Sequence, residues 1–160
     1  MRRKDGKYFK RIHGAPPPLS FSVKRRVNLS EVDVMGIVWY GRYPLYCGEA
    51  SQELGRRCGL SYQDFYTANL RAPIAQFHID YYKPLYLDEE FTVKASAPWC
   101  EGAKLLIEYE IRKVNGDLVA TAYTVQMFID GRTEEVYIAT PELLEKVRQR
   151  WLAGEFQCLK

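Results

Sequence analysis

A carboxylate lies in a glycine-containing stretch just ahead of a segment with a helical apolar stripe. The stretch runs from Asp33 to Tyr43 and contains Gly36 and Tyr40. A helix start presents free backbone N–H groups, which suit the oxyanion that develops on an attacked carbonyl. A carboxylate facing that carbonyl can attack it or activate a water, and Gly36 lets the backbone approach a ligand closely. The stretch therefore predicts a site for acyl transfer to water. The alternative is an Asp33 that only caps the helix or fixes the loop.

Further side chains are candidates for substrate binding. His78 shares a strand face with Asp80 and Tyr82, and it is either a binding residue or a hydrogen-bonded sheet histidine. Several aromatic residues either line an acyl pocket or belong to the core. They are Trp39, Tyr43, Tyr46 and Tyr82.

The elements that must hold these residues follow from the spacing of apolar positions. Alternating apolar residues predict a strand from Phe21 to Leu29. A stripe with spacings of three and four predicts a helix from Tyr43 to Cys58, closed by Gly59. Alternation then predicts four consecutive antiparallel strands between Ile74 and Ile129. The stripe consists of Tyr43, Tyr46, Cys47, Ala50, Leu54 and Cys58.

This order of elements predicts an α+β fold in which a curved antiparallel sheet wraps around a long central helix. The Asn115-Gly116-Asp117 sequence is a strong tight-turn signal, so the strand after it returns antiparallel. A parallel nucleotide-binding fold is excluded, because no helix separates the strands between Ile74 and Ile129. A last helix is expected from Pro141 to about Trp151.

Composition limits the class of protein. The 160 residues are 47% apolar and 27% charged, which is typical of one globular domain. The net charge of +3 is concentrated in residues 1–20, so the rest of the chain is slightly acidic and a nucleic-acid-binding domain is disfavoured. The 4 cysteines form no CxxC pair, which predicts reduced thiols and no metal site. Without a signal-type or membrane-spanning apolar run, we expect a cytoplasmic protein with no membrane insertion.

The chain divides into three parts. Residues 1–20 contain six bases and end in a proline-rich spacer, so we expect a basic, flexible tail outside the core. Residues 21–140 hold the helix and strands of the folded domain. Residues 141–160 form a C-terminal helix and tail.

Two segments resemble the hot-dog-fold acyl-CoA thioesterases. The first is Asp33–Tyr43, whose start has the pattern D-x-x-G-[IV]-V-x-Y, followed on the helix by Glu49-Ala50. The second runs from Ile79 to Asp88 and begins Ile-Asp-Tyr-Tyr-Lys-Pro-Leu. The branch that they resemble is the 4-hydroxybenzoyl-CoA thioesterase family with its Tol-Pal-associated members. The resemblance covers residues 21–140.

The resemblance implies a hot-dog fold and the hydrolysis of an acyl-CoA to a free acid and coenzyme A. Asp33 falls on the family's catalytic aspartate, the nucleophile or general base. Tyr40 falls at the helix start whose backbone N–H polarises the thioester carbonyl, and Gly36 on the loop glycine beside the substrate. Some hot-dog enzymes place their working carboxylate on the helix, so Glu49 is either such a residue or an exposed or subunit-facing acid. No metal or separate cofactor is implied, since coenzyme A is part of the substrate. Candidates for its phosphates are Arg42, Arg71, Lys83, Lys94 and Lys104.

Two positions depart from the family pattern. Tyr40 stands where the Tol-Pal-associated branch has a histidine, so any role of that imidazole is absent here. Gly48 stands where the 4-hydroxybenzoyl branch has an acid that contacts the ring hydroxyl of the substrate. Specificity for 4-hydroxybenzoyl-CoA is therefore not expected.

Three alternative functions remain open. A hot-dog hydratase or dehydratase would need a histidine in the loop or the helix, and neither contains one. A non-catalytic acyl-CoA-binding module would bind substrate without releasing thiol. A functional basic tail would tether the protein to anionic lipid or nucleic acid. The family builds its sites between subunits, so we expect a homo-oligomer, a dimer or a homotetramer made of two dimers.

Overall fold

The computed structural model describes residues 4–157 and residue 159. Five strands form one antiparallel sheet in the order β1-β4-β5-β6-β3, and two short strands, β2 and β7, pair separately. The α+β class predicted from the sequence is confirmed. The strands are β1 (Leu19–Arg26), β2 (Leu70–Arg71), β3 (Ile74–Tyr81), β4 (Glu90–Ala97), β5 (Lys104–Lys113), β6 (Leu118–Met127) and β7 (Ile129–Asp130). The helices are α1 (Tyr43–Cys58), α2 (Tyr62–Thr67) and α3 (Glu142–Leu152).

Helix α1 packs on one face of the sheet, here named the inner face, mainly against β1 and β4. Its buried side chains include the six predicted stripe residues, with Tyr46 1% and Ala50 0% exposed. Fully burying an aliphatic or aromatic side chain stabilises the fold by roughly 1.5–3 kcal/mol, so this stripe attaches the helix firmly. The helix ends at Gly59, whose φ of 80° is a left-handed conformation that suits glycine.

The hairpin between β5 and β6 has the turn that the sequence predicts. Gly116 has a φ of 88°, and the backbone N–H of Lys113 donates to the carbonyl of Asp117 at 3.0 Å. The register then pairs Ile111 with Ala120 and Tyr109 with Ala122 on the inner face. The turn therefore sets which residues of these two strands face α1.

Several predicted boundaries differ from the structure. The first strand begins at Leu19 rather than Phe21 and ends at Arg26, so two residues assigned to the tail belong to the sheet. The predicted long strand to Ile129 is divided, because Phe128 leaves the ladder of β6 and its N–H bonds to Ala103 instead. The chain then pairs β7 with β2, a pair that the sequence did not indicate.

The N-terminal segment, residues 4–18, lies against the opposite, outer face of the sheet. Two of its backbone N–H groups, those of Tyr8 and Phe9, donate to Oε1 of Glu108 at 2.7 and 2.9 Å. Gly6 is buried so close to Glu110 that a Cβ would lie 2.8 Å from that side chain. The expectation of a tail outside the core therefore does not hold for residues 4–18. Residues 1–3 lie outside the described residues.

Helix α3 closes the end of the sheet beside this segment. The indole N–H of Trp151 donates to the carbonyl of Pro17 at 3.0 Å, and Trp99 packs edge-on against Trp151. Arg148, 7% exposed, donates to the carbonyl of Gly102 at 2.8 Å. The proline-rich spacer is thus attached to the C-terminal helix.

Candidate active site

The Asp33 loop, residues 28–42, is a tight reverse turn between β1 and α1. Val32 and Val38 form an antiparallel bridge, and the N–H of Asp33 donates to the carbonyl of Ile37 at 2.9 Å. Gly36 has a φ of 74°, so glycine suits the turn sterically. An added Cβ at Gly36 would meet no atom within 4 Å, which leaves the surface there open to a ligand.

The carboxylate of Asp33 is held by its own turn. Its Oδ1 accepts the backbone N–H of Met35 at 2.8 Å, and the side chain is partly exposed. Helix α1 has Arg42 at its N-cap, with no side-chain hydrogen bond there. The helix-capping alternative for Asp33 is therefore wrong, whereas the loop-fixing alternative agrees with this contact. One carboxylate oxygen contacts the turn, and the group still borders solvent.

The start of the helical segment follows the turn directly. A 3-10 helix over Tyr40–Arg42 precedes α1, and the first N–H groups of a helix have no acceptor within it. The hydroxyl of Tyr81 on β3 donates to the carbonyl of Tyr40 at 3.0 Å. Gly41 lies under Trp39, because an added Cβ would be 2.3 Å from the indole ring. The helix start is thus attached to β3 and partly covered by an indole.

Two residues that anchor this loop, Glu31 and Arg25, were not among the candidates named from the sequence. Glu31 is 8% exposed, and its carboxylate accepts the N–H of Asn28 at 2.8 Å and the guanidinium of Arg25 at 3.1 Å. The carbonyl of Glu31 accepts the N–H of Trp39 at 2.9 Å. Glu31 therefore connects β1 to both the beginning and the end of the loop. The Asn28-x-x-Glu31 spacing, a capping-box pattern, was a signal that could have identified it.

The predicted pocket aromatics differ in exposure. Trp39 and Tyr40 are 47% and 67% exposed, so both are open to a ligand or to another subunit. Tyr43 is buried and packs edge-on against Tyr81 at 5.0 Å. Burial raises the pKa of Tyr43 to about 12, so its hydroxyl is neutral at physiological pH. Tyr43 therefore belongs to the core beneath the helix start.

Glu49 is half-exposed on α1 and forms an ion pair with Arg25 of β1. That guanidinium also pairs with Glu31, so Arg25 joins the two carboxylates. A carboxylate paired in this way is poorly placed to act as a second working acid. Glu49 instead contacts Arg25, which also pairs with Glu31 in the Asp33 loop.

His78 and Tyr82 lie on the outer face of the sheet, opposite the helix. Nε2 of His78 is 3.1 Å from Oδ2 of Asp80, and the hydroxyl of Tyr8 donates to the same oxygen at 2.8 Å. The Tyr82 hydroxyl is 3.3 Å from Oγ1 of Thr121. Since neighbouring strand residues point to opposite faces, Tyr81 reaches the helix start and Tyr82 does not. Within one chain, His78 and Tyr82 are therefore not brought together with Asp33.

One of the five candidate bases, Arg42, lies in the Asp33 loop itself. Arg42 donates to the carbonyl of Ser30 at 3.0 Å, which holds its guanidinium beside the loop. Lys83 pairs with Asp117 at 2.8 Å, at the β5–β6 turn. Lys94 is on β4 among the outer-face residues, and Lys104 begins β5. Arg42 is thus the candidate base with a contact that holds it near Asp33.

A model of the thioesterase-like superfamily matches residues 27–151. The chain belongs to the thioesterase-like superfamily. The match begins just before the Asp33 loop and ends within α3, so it spans α1 and strands β2 to β7. Of the four strands expected in succession, β4, β5 and β6 are neighbours in chain order, whereas β3 pairs with β6 rather than with β4. The predicted membership among the hot-dog thioesterases and the prediction of a thioester hydrolase are confirmed, and the 4-hydroxybenzoyl-CoA branch stays a prediction.

Individual thioesterases are similar over most of this chain. A 1,4-dihydroxy-2-naphthoyl-CoA hydrolase of Thermosynechococcus vestitus is 26% identical over 113 residues, 70% of this chain and 77% of that protein. The crystal structure of Slr0204, a 1,4-dihydroxy-2-naphthoyl-CoA thioesterase from Synechocystis, has a TM-score of 0.72 at 20% identity and covers 81% of this chain and 96% of its own. The structure of BH1999, a gentisyl-coenzyme A thioesterase, has a TM-score of 0.68 at 17% identity and covers 80% of this chain and 99% of its own. The structural likenesses confirm the hot-dog fold.

Two further properties of this family member concern metals and membranes. Among residues 4–157 and 159, no three His, Cys, Asp or Glu side chains lie together as a set of metal ligands. Cys47, Cys58 and Cys100 are buried free thiols, and Cys158 lies outside the described residues. In the same part of the chain, no helix has the length and apolar character needed to span a bilayer.

Proposed function

We propose that this protein hydrolyses acyl-CoA thioesters at the Asp33 loop. The observation that carries the proposal is the turn itself, which holds a partly exposed carboxylate a few residues before a helix start with free N–H groups. The carboxylate supplies the nucleophile or base. The N–H at Tyr40 supplies the hydrogen bond for the oxyanion.

Asp33 can act by two routes that give the same products. As a nucleophile, its oxygen adds to the thioester carbon, the thiolate of coenzyme A leaves, and water cleaves the resulting anhydride. As a general base, it takes a proton from water while the water oxygen adds to that carbon, and the thiolate leaves and is protonated. Each route consumes one water and yields one acid and one coenzyme A.

The neighbouring residues have supporting roles in this proposal. Gly36 leaves room for the pantetheine chain to pass the turn, and the exposed Trp39 covers one side of the reacting carbonyl. Arg42, held beside the loop, is the first candidate for a phosphate of coenzyme A. No metal or further cofactor is required. The reaction is expected in the cytoplasm, which stays a prediction.

The acyl group is proposed at the level of a class. The relatives compared above are named for aromatic acyl-CoA substrates, 1,4-dihydroxy-2-naphthoyl-CoA and gentisyl-CoA. Gly48 offers no side chain to a ring hydroxyl, which argues against 4-hydroxybenzoyl-CoA. We therefore place aromatic acyl-CoAs first and include aliphatic ones in the test.

A second copy of the chain is proposed to complete the site. Strand β3 pairs with β6 along one edge, and the sheet order leaves its other edge without a strand among the described residues. That edge carries exposed apolar side chains, with Ile74 57% and Phe77 37% exposed. An exposed apolar edge strand is a template for pairing with another strand. Two β3 edges pairing antiparallel would bring the Tyr40–Tyr81 contact to the subunit boundary, and a homotetramer of such dimers stays a prediction.

The test is a thiol-release assay on the full chain with aromatic and aliphatic acyl-CoAs, run beside Asp33→Asn. Asparagine keeps an oxygen for the N–H of Met35, so the variant should fold and lose at least a hundredfold in kcat. Asp88→Asn is the matched control, because Asp88 is exposed and has a φ of 62°, which asparagine also adopts. Normal turnover by Asp33→Asn would refute the role of Asp33. Tight binding without thiol release would indicate the binding-module alternative.

A further inference from the structure

A cavity of about 270 Å³ lies between the last two turns of α1, helix α2 and the inner face of the sheet. Its walls are mostly apolar, and three exposed side chains, Arg56, Tyr62 and Gln63, border its opening to solvent. The apolar walls are formed by Leu54, Leu60, Phe65, Ala97, Leu105 and Ile107.

Gln126 is the most deeply buried of the polar side chains that line this cavity. Gln126 on β6 is 9% exposed and lines the cavity, yet among the described residues its side-chain amide forms no hydrogen bond. The amide borders the cavity, where a group that fills the cavity can reach its N–H and carbonyl groups. Ser51, another polar wall residue, already donates to the carbonyl of Gly48 at 2.9 Å. A group that enters the cavity can therefore form a hydrogen bond with the amide of Gln126.

The cavity is separate from the Asp33 loop of the same chain. Its lining on α1 begins at Ser51, eight residues after the helix start at Tyr43, which is roughly 12 Å along the axis at 1.5 Å per residue. The first turns of the helix are filled by Tyr46 and Ala50, which are 1% and 0% exposed. The cavity is therefore an additional site.

We infer that this cavity binds an apolar aromatic or alkyl group that carries one hydroxyl or carbonyl, with Gln126 as its hydrogen-bond partner. An apolar cavity of about 150 Å³ can hold a benzene ring, so a volume of about 270 Å³ suits two fused rings or a chain of similar size. The amide of Gln126 has both a donor and an acceptor, so it accommodates either polar group. The mainly apolar walls offer too few partners for a stable cluster of water.

The binding test uses the whole protein with 2-naphthol and naphthalene as probes, followed by NMR of the labelled chain. We expect 2-naphthol to shift the side-chain amide of Gln126 and the backbone signals of Leu54 and Cys58. Gln126→Leu should weaken 2-naphthol binding roughly fivefold, to the level of naphthalene, and leave naphthalene unchanged. Gln149→Leu, the same change at an exposed position on α3, should have no effect.

A second variant tests the cavity by filling it. Ser51→Phe should abolish binding of both probes, and a thermal melt close to that of the parent protein checks that it folds. Probe signals that move elsewhere, or a Gln126→Leu protein that still prefers 2-naphthol, would overturn the proposal. These readouts do not need turnover, so they are independent of whether the thioesterase proposal holds.

The ligand can reach the cavity as the acyl part of an acyl-CoA or as a free molecule, and kinetics separate the two sources. If the acyl part occupies the cavity, it must span the roughly 12 Å from the helix start, so Ser51→Phe should raise KM for dodecanoyl-CoA about tenfold and leave acetyl-CoA unchanged. If the ligand is a free molecule, the same variant should lose 2-naphthol binding and keep both KM values. Retention of 2-naphthol binding by the filled variant refutes the site for either source.

Discussion

The guanidinium of Arg11 donates to both carboxylate oxygens of Glu108, at 3.1 Å to Oε1 and 2.5 Å to Oε2, across 97 residues of chain. Glu108 is 3% exposed, and two backbone N–H groups of the same N-terminal segment complete its surroundings. All of these partners come from the first residues of the chain. The Arg11–Glu108 ion pair therefore holds the N-terminal segment against the sheet, although composition alone predicts a flexible tail.

Removing Arg11 should destabilise the whole domain. In Arg11→Ala the buried Glu108 keeps two N–H donors but loses its countercharge, and a hydrogen bond to a charged group contributes about 1.5–3 kcal/mol. We expect the free energy of unfolding in urea to fall by about 2 kcal/mol. Lys10→Ala, at an exposed neighbouring position, is the control. Equal stabilities of the two variants would mean that the Arg11–Glu108 ion pair contributes nothing to the fold.

Weakening the anchor of the Asp33 loop should lower activity more than stability. Glu31→Gln keeps an oxygen for the N–H of Asn28 and loses the charge that holds Arg25. The turn then samples other positions, so we expect kcat for acyl-CoA hydrolysis to fall about tenfold, or ~1.4 kcal/mol, with KM within about twofold. Glu90→Gln removes a comparable ion pair, that with Arg26, at an exposed site and should leave kcat unchanged. A change in KM alone would contradict a positioning role.

A charge on the free edge of β3 should dissociate the proposed dimer. Phe77→Lys places an ammonium within the exposed apolar edge, where it disfavours strand pairing. Sedimentation at several concentrations should show the parent protein as a dimer or larger and the variant with association weakened at least tenfold. Val114→Lys, at a 77% exposed position beside the β5–β6 turn, is the control. An identical association state for parent and Phe77→Lys would argue against the β3 interface.

Alkaline pH should destabilise the fold partly through Cys58. Burial raises the pKa of this thiol from 9.0 to about 11, so between these values the unfolded chain has lost a proton that the folded chain retains. The free energy of unfolding therefore falls with rising pH, by about 1.4 kcal/mol per pH unit for this group. In Cys58→Ser, measured with reductant present, the slope between pH 9 and 11 should be shallower by about that amount. The other titrating groups are common to both proteins, so equal slopes would refute the assignment.

Local patterns were enough to predict α1 and the central hairpin. The stripe from Tyr43 to Cys58 matches the buried face of α1, since a period near 3.6 defines one side of a helix. The turn at Gly116 was predicted from its neighbours because such turns depend on two or three residues. The Asp33 stretch was likewise recognisable as a loop before a helix. These features depend on contacts within a few residues.

Tertiary structure alone decided which candidates meet in space. Strand alternation predicts that His78 and Tyr82 share one face of the sheet. Whether that face is near Asp33 depends on which side of the sheet α1 packs against, and in the structure α1 packs on the opposite side. The Arg11–Glu108 contact and the partnerless amide of Gln126 likewise depend on residues from distant parts of the chain. Pairings of this kind follow from how whole layers stack, and a local period carries no information about them.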